Sequence, residues 1–174
     1  ERARLVADKF IVPVKKIILD DTFDSLIKAL GEDVFAKKLA VANIKPRLRM
    51  ITLYYLASEN NYLVVGTGNL SELTVGYFTK YGDSGVDILP LANLVKTRVK
   101  ELAQYIGVPE AVILKPPTAG LWEGQTDEGE MEMSYDQLDR YILTGEAPEH
   151  IKQRIESMNM RSEHKRNLPY RPEF

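Results

Sequence analysis

The stretch YLVVGTGNLSELTVGYFTKYGDSGVD, residues 62–87, determines how the rest of this chain is arranged. Its first part, residues 62–65, is a short apolar run rich in β-branched side chains and predicts a buried strand. Asn69 followed by Glu72 forms a capping-box pattern, so a helix is expected to begin here. A strand that leads into a helix N-terminus is where α/β proteins bind anionic ligands. Residues 76–83 then mix aromatic, glycine and charged side chains without a period, which is typical of a binding loop.

The composition restricts the class of protein. A chain of 174 residues with 44% hydrophobic side chains can form one soluble domain with its own core. A net charge of −2 provides no basic field for general nucleic-acid binding. The absence of cysteine excludes disulfides, cysteine metal sites and a thiol nucleophile within this chain. No apolar run approaches the ~18 residues of a membrane span, so we expect a cytoplasmic protein without nucleic-acid or membrane partners.

Strands and helices alternate along the chain. Residues 14–19 read as a strand, Asp20 and Asp21 as the cap of the next helix, and Asn93 as the cap of a later one. That later helix carries an apolar stripe, expected to be buried, of Val95, Val99, Leu102 and Ile106. The pattern predicts an α/β fold, in which helices flank a twisted parallel sheet in three layers.

The helix predicted over residues 43–58 is apolar almost all the way round. A helix apolar on every face is buried on every face, so within one domain a partner chain is expected to cover the second face. The sequence therefore predicts a homodimer through this helix. Arg47 and Arg49 interrupt its surface, either as snorkelling surface residues or as donors to a bound phosphate.

Residues 115–127 are rich in proline and glycine and include Trp122, the only tryptophan. A loop of this length in a compact domain is usually a lid or disordered, and we expect a mobile lid over residues 115–133. Beyond it, Ser134 and Gln137 form a second capping box, and Pro148 opens the last long helix.

Three segments carry a family resemblance. GTGNLSELTVGYFTKYGDSGVDILPLANLVKT, KPPTAGLWEGQTDE and SEHKRNLP, in this order, resemble the ammonia-dependent NAD synthetases. The resemblance implies an adenine nucleotide alpha hydrolase-like fold and a tight homodimer with substrate at the subunit boundary. The family's phosphate-gripping Ser-Gly-Gly-x-Asp-Ser loop has no match here, so residues 1–174 are interpreted as a single domain that lacks the first strand and that loop.

The resemblance also implies a two-step ligation. The nicotinate carboxylate of deamido-NAD attacks the α-phosphate of ATP, which gives an acyl adenylate and pyrophosphate. Ammonia then displaces AMP and forms the amide of NAD. This chemistry uses ATP as a substrate and Mg²⁺ as a cofactor, and it needs no covalent enzyme nucleophile.

The same resemblance implies the site residues. Glu72 would be a magnesium ligand and catalytic residue, although its position also suits a helix cap. Asp83 would take the proton from ammonium, although aspartates are common in turns. The implied ATP contacts are Thr67, Lys96 and Thr118. The implied deamido-NAD contacts are Arg47, Arg49, Lys80, Asp87, His164 and Lys165, the last two also being compatible with a solvated helix end.

Two other functions remain compatible with the sequence. One is a different adenylating amidotransferase of the same nucleotide-binding fold, against which the segment from Lys80 to Asp87 argues. The other is a non-catalytic dimeric nucleotide-binding protein, which the unmatched phosphate loop favours.

Overall fold

The computed structural model describes residues 2–31, 38–122 and 124–173. In this part of the chain the elements are helices joined by loops. Their bounds are α1 Arg2–Phe10, α2 Asp20–Leu30, α3 Lys38–Ala42, α4 Ile44–Asn60, α5 Leu70–Val75, α6 Lys96–Tyr105, α7 Glu110–Ile113, α8 Asp127–Met131, α9 Tyr135–Thr144, α10 Glu149–Arg161 and α11 Glu163–Arg166. None of the helices in the described ranges is long and apolar enough to cross a membrane.

The predicted parallel sheet is not seen in the described residues. Strand pairing there consists of one isolated parallel bridge between Val65 and Ile88. Residues 14–19 form no regular element and pair with no other described segment, and Val14 and Ile18 are 57% and 69% exposed. An apolar run favours an extended backbone locally, whereas a ladder also requires a neighbouring strand to accept its hydrogen bonds.

The core lies between four helices, three of which belong to the second half of the chain. Met131, Tyr135, Leu138 and Ile155 are almost completely buried there. These side chains come from α8, α9 and α10, and Val75 adds α5 to the same cluster. Helix α8 and its buried Met131 fall within residues 115–133, the range for which a lid is predicted.

The helix boundaries confirm some cap predictions and correct others. Both capping boxes form, at Asn69 with Glu72 and at Ser134 with Gln137. Helix α6 begins at Lys96 rather than after Asn93. Its N-terminal amides are bonded by side chains from other elements, so the local sequence carried no signal for its start.

The first caps were also placed wrongly. Leu19 occupies the cap position of α2, and Asp20 and Asp21 lie in the first turn, where their charge complements the helix dipole. Asn43 precedes α4 without capping it, because its side-chain oxygen accepts instead from the Thr79 hydroxyl at 2.7 Å.

The predicted apolar stripe of α6 is less buried than expected, whereas the exposure on α4 is compatible with the predicted partner chain. On α6, Val95 is buried, but Leu102 and Ile106 are 39% and 51% exposed. On α4, Ile51 and Tyr55 are 59% and 65% exposed, so one face of this helix is open in the single chain.

Candidate active site: two clefts with a common wall

The structure contains a large cleft of about 620 Å³ and a small cleft of about 460 Å³. The large cleft lies between α4, the loop over residues 76–83 and the end of α10 with α11. The small cleft lies between the N-termini of α5 and α6 and residues 115–119. Tyr77, Asp83 and Ala119 line both clefts and form a common wall.

The predicted ATP and metal residues converge on the small cleft. Thr67, Glu72, Lys96 and Thr118 all line it, although they span more than fifty positions of sequence. They come from the turn before α5, from α5 itself, from the start of α6 and from the loop after α7.

Glu72 is fully engaged within the chain. Its Oε2 accepts from the Asn69 backbone amide at 3.3 Å and closes the capping box. Its Oε1 accepts from Lys96 Nζ at 2.7 Å, in an ion pair that is about one-fifth exposed on each side. Helix capping is therefore one role of Glu72, and Lys96 has an anionic partner before any ligand binds.

Asp127 is a cleft residue that the sequence prediction missed. Its side chain is 5% exposed, and Oδ2 accepts from the Tyr135 hydroxyl at 3.0 Å. Oδ1 is buried and has no hydrogen-bond partner among the described residues. Burial raises the pKa of Asp127, the nearby Glu72 charge raises it further, and the Tyr135 hydrogen bond and Lys96 oppose the rise. Thr126 before an acidic turn signals a helix start, but no local pattern signals this burial.

The predicted deamido-NAD residues gather, with one exception, in the large cleft. Those that line it are Arg47, Arg49, Lys80, His164 and Lys165, together with Arg161. Arg47 donates to the Lys80 carbonyl at 3.3 Å, and Lys80 Nζ donates to the His164 carbonyl. The cleft therefore presents a group of cations from four separate elements, with Asp83 and Glu130 as its acids.

Lys165 is integrated into the cleft rather than extended into solvent. Its Nζ donates to the carbonyls of Gly76 and Phe78 at 2.7 and 2.8 Å. Burial lowers the pKa of Lys165, the Asp83 charge opposes this shift, and Arg166 adds to it. An ammonium has three donors, so one N–H remains for a ligand.

Asp83 and Asp87 occupy different environments. Asp83 lies on the common wall, and its Oδ1 accepts from the Thr79 amide at 2.9 Å. Asp87 is not among the described residues that line either cleft. Its oxygens accept from the Tyr54 hydroxyl at 2.9 Å and the Val64 amide at 2.7 Å, next to the Val65–Ile88 bridge. Its assignment to the dinucleotide remains a prediction.

The candidate site thus consists of two adjoining clefts, one with a carboxylate–lysine pair and one rich in cations. The family model described as NAD synthase matches residues 1–169, and the chain belongs to this family. Its activity is ligation, with ammonia as nitrogen donor and NAD as product, which confirms the sequence prediction.

Several individual proteins are similar to this chain over most of its length. The NH(3)-dependent NAD(+) synthetase of Carboxydothermus hydrogenoformans is 50% identical, over 99% of this chain and 72% of the relative. The structure of NMN synthetase from Francisella tularensis superposes with a TM-score of 0.94 at 36% identity, over 99% of this chain and 72% of that one. The NH3-dependent NAD synthetase from Campylobacter jejuni, solved with a nitrate ion, gives a TM-score of 0.73 at 26% identity, over 96% and 68%.

Proposed function

We propose that the large cleft binds deamido-NAD, that the small cleft binds ATP, and that the two reacting groups meet at the common wall. The observation that carries this proposal is the separation of the site residues: one set lines one cleft, the other set lines the second, and Asp83 lines both. The nicotinate carboxylate then reaches the α-phosphate across Tyr77 and Asp83. Holding both reactants in one geometry supplies a large part of such a rate enhancement.

The cations of the large cleft suit the diphosphate bridge of a dinucleotide. Arg47 and Arg49 present planar guanidinium groups that can bond phosphate oxygens in pairs, and Lys80 and Lys165 act as point charges. Arg47 also approaches from α4, whose open face we propose as the homodimer interface, so each dinucleotide site would lie beside the subunit boundary.

The oxygen donors of the small cleft fit a magnesium ion. Glu72 is a carboxylate at a helix start, and Asp127 Oδ1 is a buried oxygen without a partner. The described residues contain no cluster of three or more His, Cys, Asp or Glu side chains, so phosphate oxygens would have to complete the coordination. Magnesium is commonly held this way, by one or two carboxylates and substrate phosphates. The ion would supply neutralisation of charge on the departing pyrophosphate.

The Lys96–Glu72 ion pair would change partners when ATP binds. Glu72 would be the carboxylate that holds the cation, and Lys96 Nζ would then be available to a phosphate oxygen. Asp83 lies where ammonium would approach the adenylate and can accept its proton.

Segments 14–19 and 62–65 are proposed to be strands of a parallel sheet. The parallel bridge from Val65 to Ile88 supports this, as does the exposure of Val14, Ile18 and Leu63. Apolar residues at strand spacing are stable in water only when another layer covers them.

A pair of substitutions tests the assignment of the clefts. Lys96→Met is expected to raise the Michaelis constant for ATP with little effect on that for deamido-NAD, and Lys80→Met is expected to do the reverse. Equal effects of both variants on both substrates would contradict two separate nucleotide sites.

One alternative substrate, a mononucleotide, is suggested by a specific observation. The neighbour with a TM-score of 0.94 is an NMN synthetase, whose name implies a mononucleotide product. The purified enzyme should therefore be supplied with ATP, ammonium and equal concentrations of deamido-NAD and nicotinate mononucleotide. We expect NAD as the main product, and preferential formation of the mononucleotide amide would replace our assignment with this alternative.

A further inference from the structure

Helix α6 is started by side chains that come from two other helices. The Lys96 backbone amide donates to Ser71 Oγ at 2.9 Å, and the Thr97 amide donates to Asp139 Oδ2 at 2.7 Å. The Ser71 hydroxyl in turn donates to Asp139 Oδ1. The residue at the cap position of α6, Val95, makes no side-chain cap bond. The first turn of α6 is thus fixed from α5 and α9.

This network is buried and contains a charge. Ser71 is 0% exposed and Asp139 is 2% exposed, and both carboxylate oxygens of Asp139 are hydrogen-bonded. A buried carboxylate is costly unless its hydrogen bonds are satisfied, and bonds from helix N-terminal amides satisfy it well. The arrangement therefore holds its geometry closely, because any displacement leaves a buried charge or a buried amide without its partner.

The network also fixes Lys96 at both ends. Its backbone amide is bonded to Ser71, and its Nζ is bonded to Glu72, the next residue along α5. We propose that Asp139 is a positioning residue for the reaction, which sets where the Lys96 ammonium lies in the small cleft. This inference rests on the proposed function of that cleft as the ATP site. Asp139 is not among the described residues that line either cleft, so it acts through Lys96 and does not touch the substrate.

Removal of the Asp139 side chain should displace the Lys96 ammonium, although Asp139 itself does not line the small cleft. Without Asp139 the Thr97 amide and the Ser71 hydroxyl lose their partner, and the first turn of α6 can shift against α5. A displacement of about 1 Å at a group that holds a reacting phosphate can cost on the order of 10²-fold in rate. The loss should fall on ATP, because no residue of α6 lines the large cleft.

The test measures ATP affinity by equilibrium titration, which does not depend on the acceptor substrate, together with steady-state kinetics. Asp139→Ala is expected to weaken ATP by roughly tenfold or more and to leave deamido-NAD within about twofold. In a Lys96→Met background, the same substitution should cost less than about twofold further, because it acts through the group already removed. Asp136→Ala, an exposed position on the same helix, is the matched control and should change neither constant.

Asp139→Asn provides a variant that should fold even if the alanine variant does not. Its oxygen can accept from the Thr97 amide while its nitrogen donates to Ser71 Oγ, so ATP affinity should largely be retained. The proposal is overturned if Asp139→Ala weakens both nucleotides equally, or if its full effect persists without Lys96. It is also overturned if the asparagine variant loses as much ATP affinity as loss of Lys96 itself. If instead the unaltered enzyme bound ATP normally but made no NAD, the proposed function would fail while this inference stood.

Discussion

Lys96 and Glu72 lie 24 positions apart in the sequence, and Lys96 Nζ is 2.7 Å from Glu72 Oε1. Glu72 also completes the capping box of α5, so the same carboxylate caps this helix and forms an ion pair with Lys96. Our proposal requires this pair to separate when ATP and magnesium bind.

Glu72→Gln is expected to reduce turnover by roughly 10²–10³-fold, the loss seen when one electrostatic contact to a transition state is removed. Glutamine retains an oxygen for the Asn69 amide, so the fold should survive. Turnover is measured against magnesium concentration, with Glu101→Gln, an exposed ion-pair residue on α6, as the control. A variant with unchanged magnesium dependence would show that Glu72 acts only as a cap and as a partner for Lys96.

Lys165→Ala is expected to weaken deamido-NAD more than ATP, by about 1.5–3 kcal/mol, the range for a hydrogen bond to a charged group. Part of that loss will come from the Gly76 and Phe78 carbonyls, which lose their donor. The effect should shrink as salt rises, because screening already weakens the contact that the substitution removes. Lys28→Ala, an exposed lysine on α2, serves as control. An increase in the Michaelis constant for ATP alone would contradict the placement of the dinucleotide.

Ile51→Glu is expected to convert a dimer into monomers, because it places a charge on the open face of α4. Obligate interfaces bury upward of ~2,000 Å², and one buried unpaired charge destabilises them strongly. Sedimentation at micromolar concentration measures the change. Leu143, on α9, is 61% exposed and Ile51 is 59% exposed, so Leu143→Glu is a matched control. If the unaltered protein sediments as a stable monomer, the dimer proposal is wrong.

ATP is expected to protect residues 115–126 from proteolysis and to change the fluorescence of Trp122. The chain has one tryptophan, so its emission reports on this loop alone. In the present structure the Lys45 ammonium donates to the Leu121 carbonyl at 3.0 Å, and the Lys38 ammonium lies 4.6 Å from the Trp122 ring centroid. Gln125 Nε2 also donates to Glu130 at 2.9 Å and the Asp127 amide donates to the Pro117 carbonyl at 3.1 Å, so the loop is expected to close over ligand from a partly ordered state. Equal cleavage rates and equal emission with and without ATP would count against a lid.

Asp127→Asn is expected to raise the melting temperature at neutral pH while it lowers activity. Because the pKa of Asp127 is raised in the folded state, its ionised form destabilises the fold above the ordinary carboxyl pKa. That cost disappears as pH falls below that ordinary value, so the two proteins should converge in stability in acid. Each kcal/mol relieved corresponds to roughly 2–4 °C. A melting temperature that is lower for the variant at neutral pH would show that the charge has a stabilising partner.

The sequence predicted the features that depend on neighbours along the chain. Asn69 with Glu72 and Ser134 with Gln137 are complete capping boxes within four residues, and both form. Asn93 was chosen as a cap for the same reason. The prediction for Asn93 is wrong because Ser71 and Asp139, from distant positions, accept the hydrogen bonds of the first α6 amides. A local pattern contains no information about such a partner.

The same limit applies to the site. The residues of both clefts were named through family resemblance, since no spacing links Thr67 to Thr118 or Lys80 to Lys165. Asp127 was missed because its burial depends on packing against Tyr135 and on nothing in its own turn. The strand predicted at residues 14–19 is not formed in the described structure, because strand pairing depends on segments that periodicity cannot specify.

The wall shared by Tyr77, Asp83 and Ala119 has a consequence for the fate of the activated intermediate. With the proposed occupants, an acyl adenylate has its dinucleotide part in one cleft and its AMP part in the other. The intermediate would therefore be bound at both ends. It could dissociate only if both clefts released it at the same time. A mixed anhydride that is retained in this way would meet ammonia before it is lost to water, so the division of the site into two adjoining clefts would limit wasteful hydrolysis of ATP.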